Sequence, residues 1–417
     1  MKAVLAAPPP AFFGVWVVRA TFLLAIFGWG VGFYGPPIYL AEVIRRTGWP
    51  LGLVSAAMTV HFLVGAVVVA NLPRLYARFG LPAVTAAGAM LTAFGLVGWA
   101  IAQAPWQLFC AALLTGMGWV AMGAVAVNTL VATWYQKHRP MALSKAYNGA
   151  SIGGVIFSPL WVALIAWLGF ANAASMVGAV LIVVVLLLTR HVFSKTPESC
   201  GQTVDDETPA STNIRTLRPN QQPASSGIVL WRHRAFITLS AGMAFGLFAQ
   251  IGLLAHLFNL LAPAVGAQRM GWLMGMATAC AIGGRMLAAR AVRHFENRRA
   301  VAAGSYLVQA LGVAALLLSG GENLWLITLG MVLFGTGIGN ATSLPPLVAQ
   351  SDFPPPDVAR AVALIVAIGQ ATYAFAPAFF GLLQGSSVGP HDRFFLLAIG
   401  IQLLAAAAFL VHRPRTR

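Results

Sequence analysis

One arginine stands in the chain without a visible partner. Arg285 lies inside an apolar stretch, eight positions before Arg293, which is roughly 12 Å along a helix at about 1.5 Å per residue. That depth is inside hydrocarbon if the stretch crosses a membrane, where a charge costs about 2.5–3.5 kcal/mol on insertion scales and is ordinarily kept for a pathway. A guanidinium is a flat, two-pronged donor that matches a carboxylate. All ten acidic residues, from Glu42 to Asp392, fall at span ends or in loops, so no carboxylate faces Arg285 from mid-membrane. A buried charge must be paired or neutralised, and the simplest partner left is a bound anion. The blander reading is an arginine that snorkels to the surface.

Other polar residues inside apolar stretches are candidates for the same site. His256 and His61 are the mid-span histidines. Each can titrate near neutral pH and couple a proton, or sit neutral and hydrogen-bonded to a helix neighbour. Gln370 lies seven residues before Pro377, and Tyr373 is close to it. Asn148 is either a lining residue or half of an interhelical hydrogen bond. The stretch FGWGVGFYGPPIYL carries Gly28, Gly30, Gly32 and Gly35 followed by Pro36 and Pro37. That helix is thin and breakable, and broken helices are tolerated where they line a cavity. Phe33, Tyr34 and Tyr39 are its candidate wall residues, with Tyr34 as a hydrogen-bond donor; Tyr39 reads equally well as an interface anchor. Lys145 either draws anions inward or sets topology. No Gly-x-x-x-x-Gly-Lys loop, metal-spaced Cys/His cluster or catalytic constellation is present, so neither ATP drive, a metal, a cofactor nor an enzymatic activity is expected.

The elements that position these residues follow from composition. The 417 residues are 59% hydrophobic, and counting the 43 glycines as apolar raises the share to roughly 70%. Only 9% are charged, too few to cover a soluble protein of this size. That excludes an ordinary soluble enzyme, a nucleic-acid binder, a disulfide scaffold and a disordered chain. The net charge of +16 therefore reflects loops at a membrane, not nucleic acid. A spanning helix needs about 20 apolar residues, and twelve stretches qualify, near 18–41, 51–73, 82–103, 106–133, 142–168, 171–192, 235–262, 268–290, 300–319, 323–348, 359–385 and 391–412. They divide six and six around a polar stretch with the composition of a flexible linker. The first is read as an uncleaved span. Of the 26 lysines and arginines, 20 lie on the side of the termini and four (Arg45, Arg46, Arg269, Arg393) on the other, which predicts cytoplasmic termini.

Two stretches resemble the major facilitator superfamily. ANLPRLYARFGLPAV, after the second span, is similar to its signature loop, with Arg78 and Gly80 matching, Arg74 nearby, and Pro73 and Ala77 in place of the usual glycine and aspartate. The corresponding loop after the eighth span has Arg293 at the aspartate position and Glu296 at the glycine position. WYQKHRPMALSKAYNGASIGGVIFSP resembles the monocarboxylate-porter and oxalate–formate-antiporter branch, with Gly149, Gly153 and Gly154 as close-packing residues and Pro159 as a kink. LLAHLFNLLAP with His256 and GGR with Arg285 are further matches. The resemblance implies an all-α polytopic membrane protein of twelve transmembrane helices, arranged as two six-helix bundles with pseudo-twofold symmetry. The bundles are expected over 1–193 and 235–417, with a cytoplasmic linker over 194–234. It implies that Arg285 binds a substrate carboxylate and that Arg74, Arg78, Gly80, Arg293, Gly149, Gly153, Gly154 and Pro159 serve gating. In oxalate–formate antiporters a lysine stands at the position aligned with Gln370, so the neutral residue here favours a monovalent anion.

The expectation is a monomeric secondary transporter of the inner membrane that moves a small organic anion, a monocarboxylate, by alternating access, with protons or a counter-anion as coupling partner. Arg285, Gln370, His256, Tyr34, Asn148, His61 and Tyr373 are the expected substrate residues. The alternative is a proton-coupled symporter or efflux pump for another small molecule. A non-transporting sensor would need a folded output domain, for which the linker is too short and polar.

Overall fold

The structure is a computed structural model that describes residues 12–206, 230–295, 297–385 and 392–411. Among these, twelve helices are long and apolar enough to cross a membrane. Spans 1 to 6 are Gly14–Thr47, Leu51–Phe79, Leu81–Ile101, Pro105–Trp134, Arg139–Leu168 and Phe170–Phe193. Spans 7 to 12 are Arg234–Val265, Ala267–His294, Arg298–Leu318, Leu324–Asp352, Arg360–Gln384 and Asp392–Val411. Each stretch expected from hydropathy is a span, in order. Most run a few residues further than the apolar core, because polar caps and short amphipathic turns extend the helix beyond the hydrocarbon. The start of spans 1 and 7 and the end of spans 6 and 12 share one side, called here the linker side; the opposite side is the far side.

Three neighbouring pairs of spans meet at a single glycine. Gly80, Gly169 and Gly266 end spans 2, 5 and 7 and at the same time open the next, with φ of 80°, 76° and 89°. Only glycine takes this backbone without strain, so Gly80 of the signature loop is required for its turn.

The packing repeats with an offset of six. Span 1 packs on 5 as 7 packs on 11, span 2 on 4 as 8 on 10, span 3 on 4 as 9 on 10, and span 3 on 6 as 9 on 12. The two sets of six meet in symmetric pairs as well, span 5 on 8 and span 11 on 2. Small residues allow the close approaches. A side chain at Gly149 would strike the Phe22 carbonyl of span 1, and one at Gly153 the Ile26 carbonyl. Gly335 and Gly284 do the same between spans 8 and 10.

Arg299, one of the twenty basic residues assigned above to linker-side segments, is not a loop charge. It is 1% exposed. Its Nε donates to Asp352 of span 10 at 2.7 Å, and its terminal nitrogens donate to the Ala235 carbonyl at 2.8 Å, Thr238 Oγ1 at 2.9 Å and the Phe409 carbonyl at 3.4 Å. One guanidinium thus ties the linker-side ends of spans 7, 9, 10 and 12. The polar stretch after span 6 is also held, at least in its described part. Asp205 accepts from the backbone N–H of Gln136, Lys137 and His138 at 3.0, 2.5 and 3.2 Å, and Gln202 accepts from the N–H of Phe13 at 2.8 Å. Residues 194–206 therefore lie along the linker side of the first six spans; 207–229 and Glu296 lie outside the described residues.

Two outcomes follow. Removing one member of a buried ion pair strands the other and costs about 3–5 kcal/mol. Asp352→Asn should therefore lower the melting temperature in detergent sharply, and an unchanged melt would contradict the role given to Arg299. Burial opposes ionisation of Asp205, but the three N–H donors outweigh it and hold the carboxyl below its ordinary value. A depressed carboxyl stabilises above its unfolded value and loses that contribution as pH falls through its folded value. Asp205→Asn should mimic acid at neutral pH and speed proteolytic cleavage within 194–206; equal cleavage rates would count against the latch.

Candidate functional site

Span 1 is two helices, Gly14–Gly32 and Pro36–Thr47, separated at 33–35. The break turns Phe33 and Tyr34 toward the seam between the two sets of six spans. They line a tight cavity of only about 10 Å³ with Pro37, Met58 and Phe62 from the same half and Ile251, Leu254, Ala255 and Met274 from the other. Its walls are apolar but for the Tyr34 hydroxyl. Phe62 packs edge-on against Tyr373 of span 11, ring centroids 5.7 Å apart.

Arg285 is not one of the residues that line this cavity; its link to it is through Tyr34. It is half-buried and sits about 13 Å from the linker-side end of span 8, taking about 1.5 Å per residue. Its Nη2 donates to Ser151 of span 5, across the seam. Tyr34 lies within electrostatic reach of it and its hydroxyl meets Thr278, one helical face along from Arg285. Gly339, at the break of span 10, leaves room for the arginine stem: a side chain there would come within 2.7 Å of its Cγ and Cδ. Among the described residues Arg285 has no carboxylate partner; the ion pairs found are Arg299–Asp352 and Arg45–Glu42. Ser151, Thr278 and Gly339 were not singled out from sequence. Ser151 lies within the small-residue run of span 5, but nothing in the run indicates which polar residue crosses to span 8.

The other expected site residues divide by exposure. Gln370 and Tyr373 are half-buried, with Gln370 one turn toward the linker side. Asn148 is exposed, one turn from Ser151 on the same face of span 5, since residues three apart share a helix side. The histidines are elsewhere. His61 is 1% exposed, with Nε2 on the Gly32 carbonyl at 3.0 Å and Nδ1 on Thr115 at 2.9 Å. His256 is fully buried, its Nε2 on the Pro377 carbonyl at 2.9 Å, against Phe394. Neither ring lines the cavity. Tyr39 is 2% exposed and donates to the Val31 carbonyl at 3.1 Å, so it is neither cavity wall nor interface anchor.

The gating candidates also separate. Gly154 faces both Tyr34 and Thr278, either of which would collide with a side chain there. The Pro159 carbonyl accepts from Gln268 Nε2 across the seam at 3.3 Å. Arg74 reaches only Asn71, Arg78 stacks on Phe79, and Arg293 is exposed.

The major facilitator superfamily profile matches residues 17–377. The chain belongs to that superfamily. The MFS transporter asaE of Aspergillus flavus is 22% identical over 349 residues, 81% of this chain and 72% of that protein. The nucleoside transporter NupG superposes with a TM-score of 0.72 at 13% identity, covering 96% of this chain and 98% of its own. A bacterial homologue of the human lysosomal transporter Spinster, in an inward-facing and occupied conformation, gives 0.70 at 13% identity, covering 97% of both. At such identities the structures share the fold alone. The protein is thus an integral, multi-pass transporter of the superfamily, and the comparisons do not carry the finer resemblance to the monocarboxylate and oxalate–formate branch.

In this transporter the seam is shut on the far side. Thr59 of span 2 accepts from the Ala378 N–H of span 11 at 3.0 Å, and a side chain on Gly381 would collide with Ser55. Gly271 and Gly275 of span 8 abut Pro159 and Val155 of span 5. The seam contacts described run from this side only as far as Tyr373 and Arg285. Access from the far side requires the two halves to part along these lines, as rocking bundles do. Cysteines at Thr59 and Ala378, with Cys110, Cys200 and Cys280 replaced by serine, should cross-link under mild oxidation and arrest transport until reduced. Full transport by the cross-linked protein would disprove that these contacts open in the cycle.

Proposed function

We propose that this transporter carries a small organic anion, a monocarboxylate, and that Arg285 holds its carboxylate at the seam. The observation behind this reading is the guanidinium itself: half-buried between the halves, within electrostatic reach of Tyr34 of the cavity wall, and without an acidic partner among the described residues. In that position an anion removes the cost of a bare buried charge. The fork of Arg285 supplies two parallel donors from the second half. Ser151 and Tyr34 supply hydroxyls from the first, so a bound carboxylate is shared by both bundles and travels with their rocking. The apolar walls (Phe33, Met58, Phe62, Ile251, Leu254 and Met274) suit the carbon body of the ligand. With Gln370 uncharged, the site offers one positive charge, which suits one carboxylate and not two. Asn148 stands on the linker-side approach. If the 20-to-4 distribution of basic residues sets the topology, the termini are cytoplasmic and the closed far side of the seam faces away from the cytoplasm of an inner-membrane protein.

The test is counterflow in reconstituted vesicles with labelled acetate, lactate, hexanoate and benzoate, with succinate and uridine as contrasts. At least one monocarboxylate should exchange and the contrasts should not. A hydrogen bond to a charged group contributes about 1.5–3 kcal/mol, so Arg285→Ala should lower that exchange by about 10- to 100-fold, with Arg285→Lys recovering only part of it because it lacks the fork. Wild-type exchange by the alanine variant, or equal carriage of uridine, would reject the reading.

A further inference from the structure

The break in span 1 strips backbone groups that hydrocarbon cannot solvate. Pro36 and Pro37 have no N–H, so the carbonyls of Gly32 and Phe33, four residues earlier, lose their helical donors. The N–H of Tyr34 turns to the Trp29 carbonyl at 2.9 Å, which Phe33 also uses at 3.0 Å, and so the Gly30 carbonyl loses its own. Side chains take over. Trp161 Nε1 donates to Gly30 at 3.4 Å, Tyr39 to Val31 at 3.1 Å and His61 Nε2 to Gly32 at 3.0 Å. His61 joins three spans: it comes from span 2, and its Nδ1 is bonded to Thr115 of span 4 at 2.9 Å. A carbonyl only accepts, so Nε2 carries the ring proton, and Nδ1 is an acceptor for the Thr115 hydroxyl, whose one hydrogen also has the Ala111 and Ala112 carbonyls within reach. Trp119 stacks on the ring at 5.7 Å. Both ring nitrogens are thereby committed, and the next two residues after the bonded carbonyl are Phe33 and Tyr34 of the cavity wall.

We propose that His61 is a positioning residue for the transport cavity: its bond to Gly32 fixes the broken segment that presents Phe33 and Tyr34 to the seam. It touches no substrate. Its geometry replaces the donor that Pro36 lacks, and its second bond, to Thr115, fixes the ring itself. The claim about the segment stands apart from the identity of the substrate; only its consequence for binding rests on the carboxylate reading.

Two polar replacements separate the two bonds. In His61→Gln the amide nitrogen stands near Nε2 and keeps the bond to Gly32; in His61→Asn it stands near Nδ1 and keeps only Thr115. Hydrogen–deuterium exchange on the full chain in lipid nanodiscs reads the segment without any substrate. The Phe33 and Tyr34 amides should exchange about tenfold faster in His61→Asn, near the wild-type rate in His61→Gln, and near it again in His61→Asn with Pro36→Ala, which returns an N–H to the Gly32 carbonyl. Equal exchange in the Asn and Gln variants overturns the proposal. If His61→Asn does not fold, the double variant should restore it, and failure there also overturns the proposal. For binding, counterflow of whichever of the four monocarboxylates the wild type exchanges gives the second reading. His61→Asn should raise KM about fivefold with Vmax within twofold, and should add nothing in a Tyr34→Phe background, because residues acting through one group are not additive. Additive effects overturn the link to Tyr34. Absence of exchange for all four monocarboxylates in the wild type rejects the carboxylate reading, while the hydrogen–deuterium exchange result still decides the role of His61.

Discussion

Inside hydrocarbon a polar group has no water to fall back on, so each must find its partner in the protein. The fold of this transporter can be followed as a set of answers to that constraint. Arg299 has Asp352 and two carbonyls besides. The carbonyls stripped by the break in span 1 have Trp161, Tyr39 and His61. His256 has the Pro377 carbonyl. Arg285 has a serine hydroxyl and, among the described residues, no counter-charge. It differs from Arg299 not in depth alone but in where it stands. Arg299 ties helices of one half that stay together, whereas Arg285 lies on the seam between halves that must part.

The same contrast separates fixed from moving surfaces. Within a half, glycines let backbones touch: Gly149 and Gly153 seat span 5 on span 1, and Gly284 seats span 8 on span 10. Contacts this close do not slide without collision. Across the seam the contacts are of another kind, a single N–H on Thr59, a glutamine on the Pro159 carbonyl, and small residues abutting. The far-side contacts can be undone without stranding a charge, whereas parting Arg285 from Ser151 bares the guanidinium. The repeat of packing with an offset of six makes the seam symmetric, span 5 on 8 and span 2 on 11, which is the geometry two rocking bodies need around a central site.

Much of this was legible in the sequence. Twelve spans follow from length and hydropathy, since a helix must satisfy its own backbone across about 30 Å of hydrocarbon. The break in span 1 follows from Pro36 and Pro37 after a run of glycines, and the isolation of Arg285 follows from the absence of mid-span acids. Errors came where a residue's meaning depended on its neighbours in space. Arg299 and Asp352 sit at span ends and read as topology charges; only the convergence of spans 7, 9, 10 and 12 shows them as a buried pair. His61 and His256 read as candidate ligands because a mid-span histidine is titratable, but each is sealed behind packing that one-dimensional patterning does not reveal.

The sequence by itself determined which segments cross the membrane, where one of them must break, and that one arginine would lack an acid, because these depend on local chemistry and on what residues are available at all. Only the tertiary structure decided who answers the stripped carbonyls of span 1, which serine faces Arg285, and which side of the seam is closed. Those partners lie as far as 131 and 134 residues apart along the chain. Their meeting is set by how helices stack and by which small residues let them approach, and neither is written in any single stretch.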